Sequence, residues 1–376
     1  MKLGINLLSA HSGGGVSASI HFLEALSKVK SDANCVVFIS GVQTDLLPRI
    51  PKSFRVVSFP FNSKSWLTRF FLDQVVLPVY VVALGLSALY SLNTVSVLAP
   101  CRLILSFENA NPFSQVNFSW SWRQRLRNQL LKYFGLLSMR RAHAIRFLAD
   151  NSRAILCRFF AIPAAKTRVI PHGWVAMGSL KHDLAFDGKS ASANILYVSN
   201  IGPYKNTHRL MRAFDSLVSR DGLDYSLLII GEAVCPKYYD EVLRLKKDLP
   251  SGNRIQFTGK LPYLRLRDFY ERAKLVCYPS LEETFGLPIL EALSMGIPVA
   301  ASDCKNLPGA YFNPFQELFG DTIHYFNPLD VVDIARVIRV VLRDSSARER
   351  AGAAGALLEK KYNWGAIAND LYDLCA

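Results

Sequence analysis

Two glutamates eight residues apart, Glu283 and Glu291, bracket the turn Phe-Gly-Leu-Pro in the stretch 282–302, EETFGLPILEALSMGIPVAAS. Pro288 suits the first position of a helix, where its missing N–H costs nothing. The backbone N–H groups around Thr284, Phe285, Gly286 and Leu287 then gather at a helix N-terminus. With the positive end of the helix dipole, they favour a phosphate or another anion. Glu283 stands just ahead of this turn, close to whatever group such a phosphate carries. Glu291 lies about one turn inside and can accept hydrogen bonds from a diol, because a carboxylate offers two strong acceptor oxygens. Pair and turn together describe a ligand with sugar on both sides of a diphosphate. Glutamates also favour a helix N-terminus for reasons of charge alone, so the turn needs partners before it carries a function.

Lys205 is one such partner. It falls in YVSNIGPYKNTHRLMRAF (197–214), in the loop after a strand-like run, where a phosphate-binding lysine would have to be. Taken singly, a loop lysine is more often a solvated charge.

The elements that must hold these residues follow from alternation. In the first half, KLGINLL, CVVFIS, RLILSF and IRFLAD read as strands, SAHSGGG as a loop after the first of them and VSASIHFLEALSKV as a helix. The second half alternates more cleanly: NILYVSN, YSLLIIGE, RIQFTGK, KLVCYPS and PVAAS are strand candidates with helical spacing between them. Strand, loop and helix repeated in this way give a doubly wound parallel sheet. The expected fold class is α/β, two Rossmann-like domains facing a central cleft, with C-terminal helices. The stretch 172–194 breaks the rhythm and is the expected linker. The expected division is 1–180, 181–360 and a last helix, 361–376, crossing back to the first domain.

Bulk properties limit the classes. The 376 residues favour two domains, and half are apolar. Residues 1–185 hold 21 Lys and Arg against 7 Asp and Glu, whereas 186–376 hold 23 of each, so the whole excess of +14 lies in the first half. Seven dispersed cysteines without a C-x-x-C argue against a zinc cage or a disulfide framework and for a reducing cytosol. No D-x-D or His/Cys cluster suggests a metal. The greasiest run, VVLPVYVVALGLSALY (75–90), is short of a membrane span, contains Pro78 and Gly85, and is expected as buried helices of the first domain.

Together, the glutamate pair, FGLP, EALSMGIPVAAS and the lysine loop resemble the family-4 glycosyltransferases of GT-B fold, most strongly over residues 195–302. The resemblance implies a retaining, metal-free transfer from a nucleotide-diphosphate sugar. It gives Glu283 the transferred sugar, Glu291 the ribose, and the amides of Thr284 to Leu287 the diphosphate and sugar. The family's Arg/Lys pair aligns with Asn200 and Lys205, so one positive contact is missing here. VIPHG (169–173) matches the interdomain segment. FTGKLPY (257–263), with Lys260 and Leu261, matches the nucleobase-side loop. SGGG (12–15), with Gly14 and Gly15, fits the glycine loop that approaches the donor phosphates, and equally a plain tight turn. LDQVVLP (72–78) is similar to a Glu-Gln…Leu-Pro signature of polysaccharide-building members. Where many members carry a histidine near the reacting sugar, SFENANPF places Glu108 and Asn109; His11, His143 and His172 are weak substitutes. No cofactor is implied, and UDP is slightly favoured as the nucleotide.

The segment 119–146 carries Arg123, Arg125, Arg127, Lys132, Arg140, Arg141 and Arg146 without an acidic residue, interleaved with Trp120, Trp122 and leucines. A basic amphipathic helix with aromatics suits an anionic membrane surface, and a solvated helix packed on its domain would look the same. The expectation is a cytoplasmic enzyme at the inner face of the cell membrane. It would act on a glycan acceptor, lipid-linked, in bacterial surface-polysaccharide assembly. Transfer to a soluble small molecule and a non-enzymatic sugar-nucleotide sensor are the alternatives. Nucleic acid would suit the charge but leaves the glutamate turn unexplained. The G-G-G of the first βα turn disfavours a dinucleotide oxidoreductase.

Overall fold

Strands of two parallel sheets set the architecture. The computed structural model describes residues 1–11, 13–44, 46–175 and 194–376. Most of the expected linker, the expected boundary at 180, and Ser12 lie outside the described residues.

The first sheet comprises β1 (Lys2–Asn6), β2 (Asn34–Ser40), β3 (Arg55–Phe59), β4 (Ala88–Ser91), β5 (Arg102–Phe107), β6 (Ala144–Phe147) and β7 (Thr167–Val169). Their order is β3-β2-β1-β4-β5-β6-β7, every pairing parallel. The second comprises β8 (Asn194–Val198), β9 (Ser226–Ile230), β10 (Ile255–Gly259), β11 (Ala273–Tyr278), β12 (Val299–Ser302) and β13 (His324–Phe326). It is ordered β10-β9-β8-β11-β12-β13, again all parallel. A parallel sheet is covered on both faces, so its strands are apolar runs rather than alternating ones. β2 is buried at every residue after Asn34. Chain order reverses between β1 and β4 in one sheet and between β8 and β11 in the other. Those are the switch points, where ligands bind beyond the strand C-termini.

By packing, Met1–Phe113, Leu126–Val175 and Tyr362–Ala376 form one unit, and Ser114–Arg125 with Ala176–Lys361 form the other. The segment 114–125 therefore packs with the second sheet: Val116 and Phe118 lie against Leu281, Cys304 and Tyr311. The last helix, Trp364–Cys375, packs with the first sheet. Asn363 caps it through the Gly365 and Ala366 amides, and the backbone N–H of Trp174 donates to the Tyr362 carbonyl at 2.8 Å. Gly173 permits this approach, since a Cβ there would lie 2.3 Å from the Trp364 ring.

Two expectations are corrected. The glycines do not form a loop ahead of the first helix: that helix begins at Gly13, so Gly14 and Gly15 are its opening turn. The apolar run from 75 is buried only in part, and its end is the buried strand β4 rather than helix. The helical stretch Trp66–Ala83 keeps one face on the first unit and exposes Val75, Val79 and Val82. Its polar residues explain the inversion, because Asp73 and Gln74 are the ones turned inward. Asp73 accepts hydrogen bonds from Asn6 Nδ2 (2.8 Å) and Asn93 Nδ2 (3.0 Å), and Gln74 bonds the Val95 carbonyl and the Val97 N–H.

Candidate functional site

β8 and β11 are the strands flanking the second switch point, and each delivers one charged residue. After β8 the chain passes Ser199 and Asn200 into a short 3₁₀ turn, Pro203–Lys205. Asn206 then adopts φ 57°, a left-handed conformation that asparagine tolerates better than most side chains. Its fully buried side chain donates to the carbonyls of Pro279 (3.2 Å) and Pro328 (2.8 Å) and accepts from Arg209. Tyr197 of β8 donates its hydroxyl to the Lys205 carbonyl at 2.8 Å. The lysine backbone is thus fixed from three sides.

β11 ends at Tyr278, and the following loop carries Glu282 and Glu283. The Leu281 N–H bonds the Tyr204 carbonyl (2.8 Å) and the Glu283 N–H bonds the Phe312 carbonyl (2.6 Å), tying this loop to the lysine turn. Lys205 Nζ and Glu283 Oε1 meet in a direct ion pair. Lys205 is 7% exposed, with the rings of Tyr204 and Tyr278 at 5.0 and 5.9 Å from its ammonium. Burial by itself would lower its pKa, but the Glu283 carboxylate outweighs that and raises it. The lysine remains a cation.

Gly286, at φ 103°, opens the helix Leu287–Ser294, with Pro288 in its first turn. A Cβ at Gly286 would lie 2.9 Å from the Phe315 ring, so backbone angle and packing both require glycine. The first N–H groups of this helix have no intrahelical carbonyl to meet. Glu291 is buried one turn in; Tyr270 donates its hydroxyl to Oε2 at 2.7 Å and Tyr263 supplies a second hydrogen bond. Burial raises the Glu291 pKa against the lowering effect of both tyrosines. Lys260 is exposed and Leu261 half-buried in the loop after β10, which leads directly to Tyr263.

Three features of this region escaped sequence reasoning. Glu282 is 2% exposed; its Oε1 accepts from Ser114 Oγ at 2.6 Å, its Oε2 is buried without a hydrogen bond, and burial pushes its pKa up to about 8. Gly231, at the end of β9, lies so close to the β8 loop that a Cβ would fall 1.9 Å from the Ser199 carbonyl oxygen. Only the IIGE pattern, a glycine closing an apolar strand, could have flagged it. Trp120 packs its ring 5.8 Å from Tyr204, and Phe118 lies 6.3 Å from the same ring. That contact turns Trp120 inward from the surface role expected of it, whereas Trp122 is 69% exposed and Arg123 and Arg125 are exposed beside it.

In the first unit, His11 bonds Ser63 Oγ through Nε2 at 2.9 Å, and burial lowers its pKa. Asn109 is exposed and accepts from the Asn111 N–H. Glu108 faces inward. It accepts from Ser106 Oγ (2.6 Å), pairs with His172 Nε2 (2.9 Å), and lies 3.4 Å from the buried Arg146. Burial would raise its pKa, yet His172 and Arg146 hold it at about 2. Arg146 also bonds Tyr90 and the carbonyls of Ile170 and Pro171. Glu108 and His172 thus form part of one packed ionic network.

Two doubly wound domains with these strand orders are the GT-B type of fold. Residues 186–357 match the family model "Glycosyl transferases group 1". O-antigen chain mannosyltransferase B of Escherichia coli is 31% identical over 239 residues, 60% of this chain and 58% of that protein. Serotype-specific mannosyltransferase WbdA of the same organism is 32% identical over 176 residues, 46% of this chain and 20% of that protein. The chain thus matches less than two thirds of either relative. Anabaena HepE, solved in complex with UDP and glucose, superposes with a TM-score of 0.74 over 99% of this chain and 98% of that one, at 18% identity. At that identity the likeness speaks for the fold.

Proposed function

We propose that the protein is a glycosyltransferase. It moves a hexosyl or N-acetylhexosaminyl group from a nucleotide-diphosphate sugar to a glycan acceptor, lipid-linked, in bacterial surface-polysaccharide assembly. Anomeric configuration is retained and no metal ion takes part. The observation that carries this reading is the Lys205–Glu283 pair, formed by the two loops that leave the switch-point strands of a group 1 domain. The mannosyl transfer named for the Escherichia coli relatives supports a hexosyl donor, and the UDP seen with HepE supports a uridine nucleotide.

In this reading the ribose hydroxyls reach Glu291, and the diphosphate lies at the amides of Thr284 to Leu287. Lys205 turns from Glu283 to the phosphate, which frees the Glu283 carboxylate for the sugar hydroxyls. The bond from the anomeric carbon to the phosphate oxygen breaks with its electrons leaving on the diphosphate. The acceptor hydroxyl attacks from the same face, and its proton passes to the departing phosphate oxygen. A buried cation held in place beforehand stabilises the charge that develops. Gly14 and Gly15 open the first helix of the first unit, and a Cβ at Gly15 would meet no atom within 4 Å beyond its chain neighbours and the helix's own backbone. The basic first half, with exposed Trp122, Arg123 and Arg125 and with Arg127, supports contact with an anionic membrane at its cytosolic face.

Thermal-shift titration with UDP-, GDP-, TDP- and ADP-sugars tests the donor. A ligand at 100 times its Kd stabilises by about 2.7 kcal/mol. One nucleotide should stand out and its sugar should pass to a lipid-linked rather than a soluble acceptor. Binding without hydrolysis or transfer would instead describe a sensor, and no binding at all would end the reading.

A further inference from the structure

The helical stretch Trp66–Ala83 belongs wholly to the first unit and has two unlike faces. Leu72, Asp73, Gln74, Leu77 and Val81 are buried. Leu67, Phe71, Val75, Val79 and Val82 are each 50–68% exposed. Their spacing of four, four, four and three residues is that of one helical face. A strict four-residue step drifts by about 40° per turn on an α-helix. The π-helical turn Leu72–Val76, being wider, winds part of that drift back and keeps the apolar residues in line. Five large apolar side chains in one stripe exceed what scattered surface hydrophobics explain.

This is a surface helix rather than a span. Asp73 and Gln74 fasten its inner face to the first sheet through Asn6, Asn93, Val95 and Val97, and Arg69 lends Asp73 its charge. The surroundings are basic. Lys64 is exposed just before the Ser65 cap. Phe70 packs on Phe134 with ring centroids 4.7 Å apart, which brings alongside the helix Trp122–Arg141. That helix exposes Tyr133, Arg140 and Arg141 in this unit. An apolar stripe with exposed Lys64 ahead of it and, across the Phe70–Phe134 contact, a helix that carries arginines and no acidic residue fits one partner, a bilayer carrying anionic headgroups.

We propose that the face of Trp66–Ala83 bearing Leu67, Phe71, Val75, Val79 and Val82 inserts shallowly into an anionic membrane. The proposal rests on the membrane reading above and gives it its apolar contact; in this unit Lys64, Arg140 and Arg141 then supply attraction and this stripe supplies depth. None of the five residues lies at the nucleotide-binding loops, so substituting them leaves transfer to a water-soluble acceptor analogue unchanged.

The test is co-sedimentation with phosphatidylethanolamine/phosphatidylglycerol vesicles and with phosphatidylcholine vesicles. Val75→Asp with Val79→Asp should weaken binding to the anionic vesicles by about tenfold or more. Val79→Trp should strengthen it several-fold, with a blue-shifted emission on binding. A merely structural role predicts no gain from the tryptophan. Melting temperature and donor binding check that each variant is folded. If Arg123→Ala, Arg125→Ala and Arg127→Ala together release the protein while both Val79 variants bind like wild type, membrane contact stands and this helix is not its apolar part. Failure of wild type to bind any vesicle overturns both. Loss of a self-associated form in the aspartate variant, seen by ultracentrifugation without vesicle binding, would assign the stripe to a second copy and overturn the proposal.

Discussion

The two switch points share a topology and differ in what the sequence places there. Between β1 and β4 the polar groups satisfy one another. Asn6 donates to Asp73 at 2.8 Å and to Ser91 at 3.1 Å, and Asn93 donates to Asp73 at 3.0 Å. That cluster closes on itself and ties a surface helix to the sheet. At the C-terminal ends of β8 and β11 a lysine and two glutamates lie in loops that follow neighbouring strands, with one carboxylate oxygen of Glu282 left without a hydrogen bond. An unmet buried acceptor and a buried ion pair are costly arrangements for a fold alone. They make sense where a ligand redistributes the contacts. The same kind of switch point serves cohesion at one site and, in the proposed reading, chemistry at the other.

Substitutions should separate the two accordingly. Lys205→Ala should lower turnover by about 10²–10³, the effect of removing one electrostatic stabiliser. Lys205→Arg should recover only part, since a planar guanidinium does not replace a compact ammonium. Steady-state rates on folded protein decide this, and a near-normal alanine variant would show the charge to be handled elsewhere. Glu291→Ala should weaken donor binding by about 1.5–3 kcal/mol, the worth of hydrogen bonds to a charged group. Calorimetry with unchanged donor affinity would remove the ribose role.

At the other switch point, Asp73→Ala should cost about 1–3 kcal/mol of stability by removing the acceptor that the Asn6 and Asn93 amides share. Transfer per folded molecule to a soluble acceptor should persist. Denaturant unfolding alongside the transfer assay would expose a merged role if both fell together.

The last comparison concerns Glu282. Its folded pKa of about 8 lies above the ordinary value of 4.5. The native state therefore keeps a proton that the unfolded chain releases, and stability falls as pH rises through that window. Glu282→Gln has no charge to bury. Wild type should lose more melting temperature between about pH 5 and pH 8.5 than the glutamine variant does, and parallel curves would contradict the assignment.

Much of the second half was legible. Its strands are short apolar runs with turn residues between them, and Glu283, Glu291 and Lys205 fall where alternation places strand C-termini. The first half was less so. β3, β4 and β7 are short or interrupted by polar residues, as in RVVSF and TRV, and their identity depends on neighbours far along the chain. β13, HYF, is equally brief. Apolar content could not tell which face of Trp66–Ala83 is buried, because long-range bonds to Asp73 and Gln74 decide it. Glu108 had no sequence mark of its partners either: His172 and Arg146 lie 64 and 38 residues away. The grouping of 114–125 with the second sheet rests on side-chain packing that no local pattern encodes.

The central claim is that protein groups at the second switch point, Lys205 foremost, carry the charge of the departing diphosphate. The most direct measurement is wild-type turnover of the nucleotide sugar with excess chelator, compared with turnover in added magnesium. Equal rates are predicted. A rate abolished by chelator and restored by the metal would contradict the account.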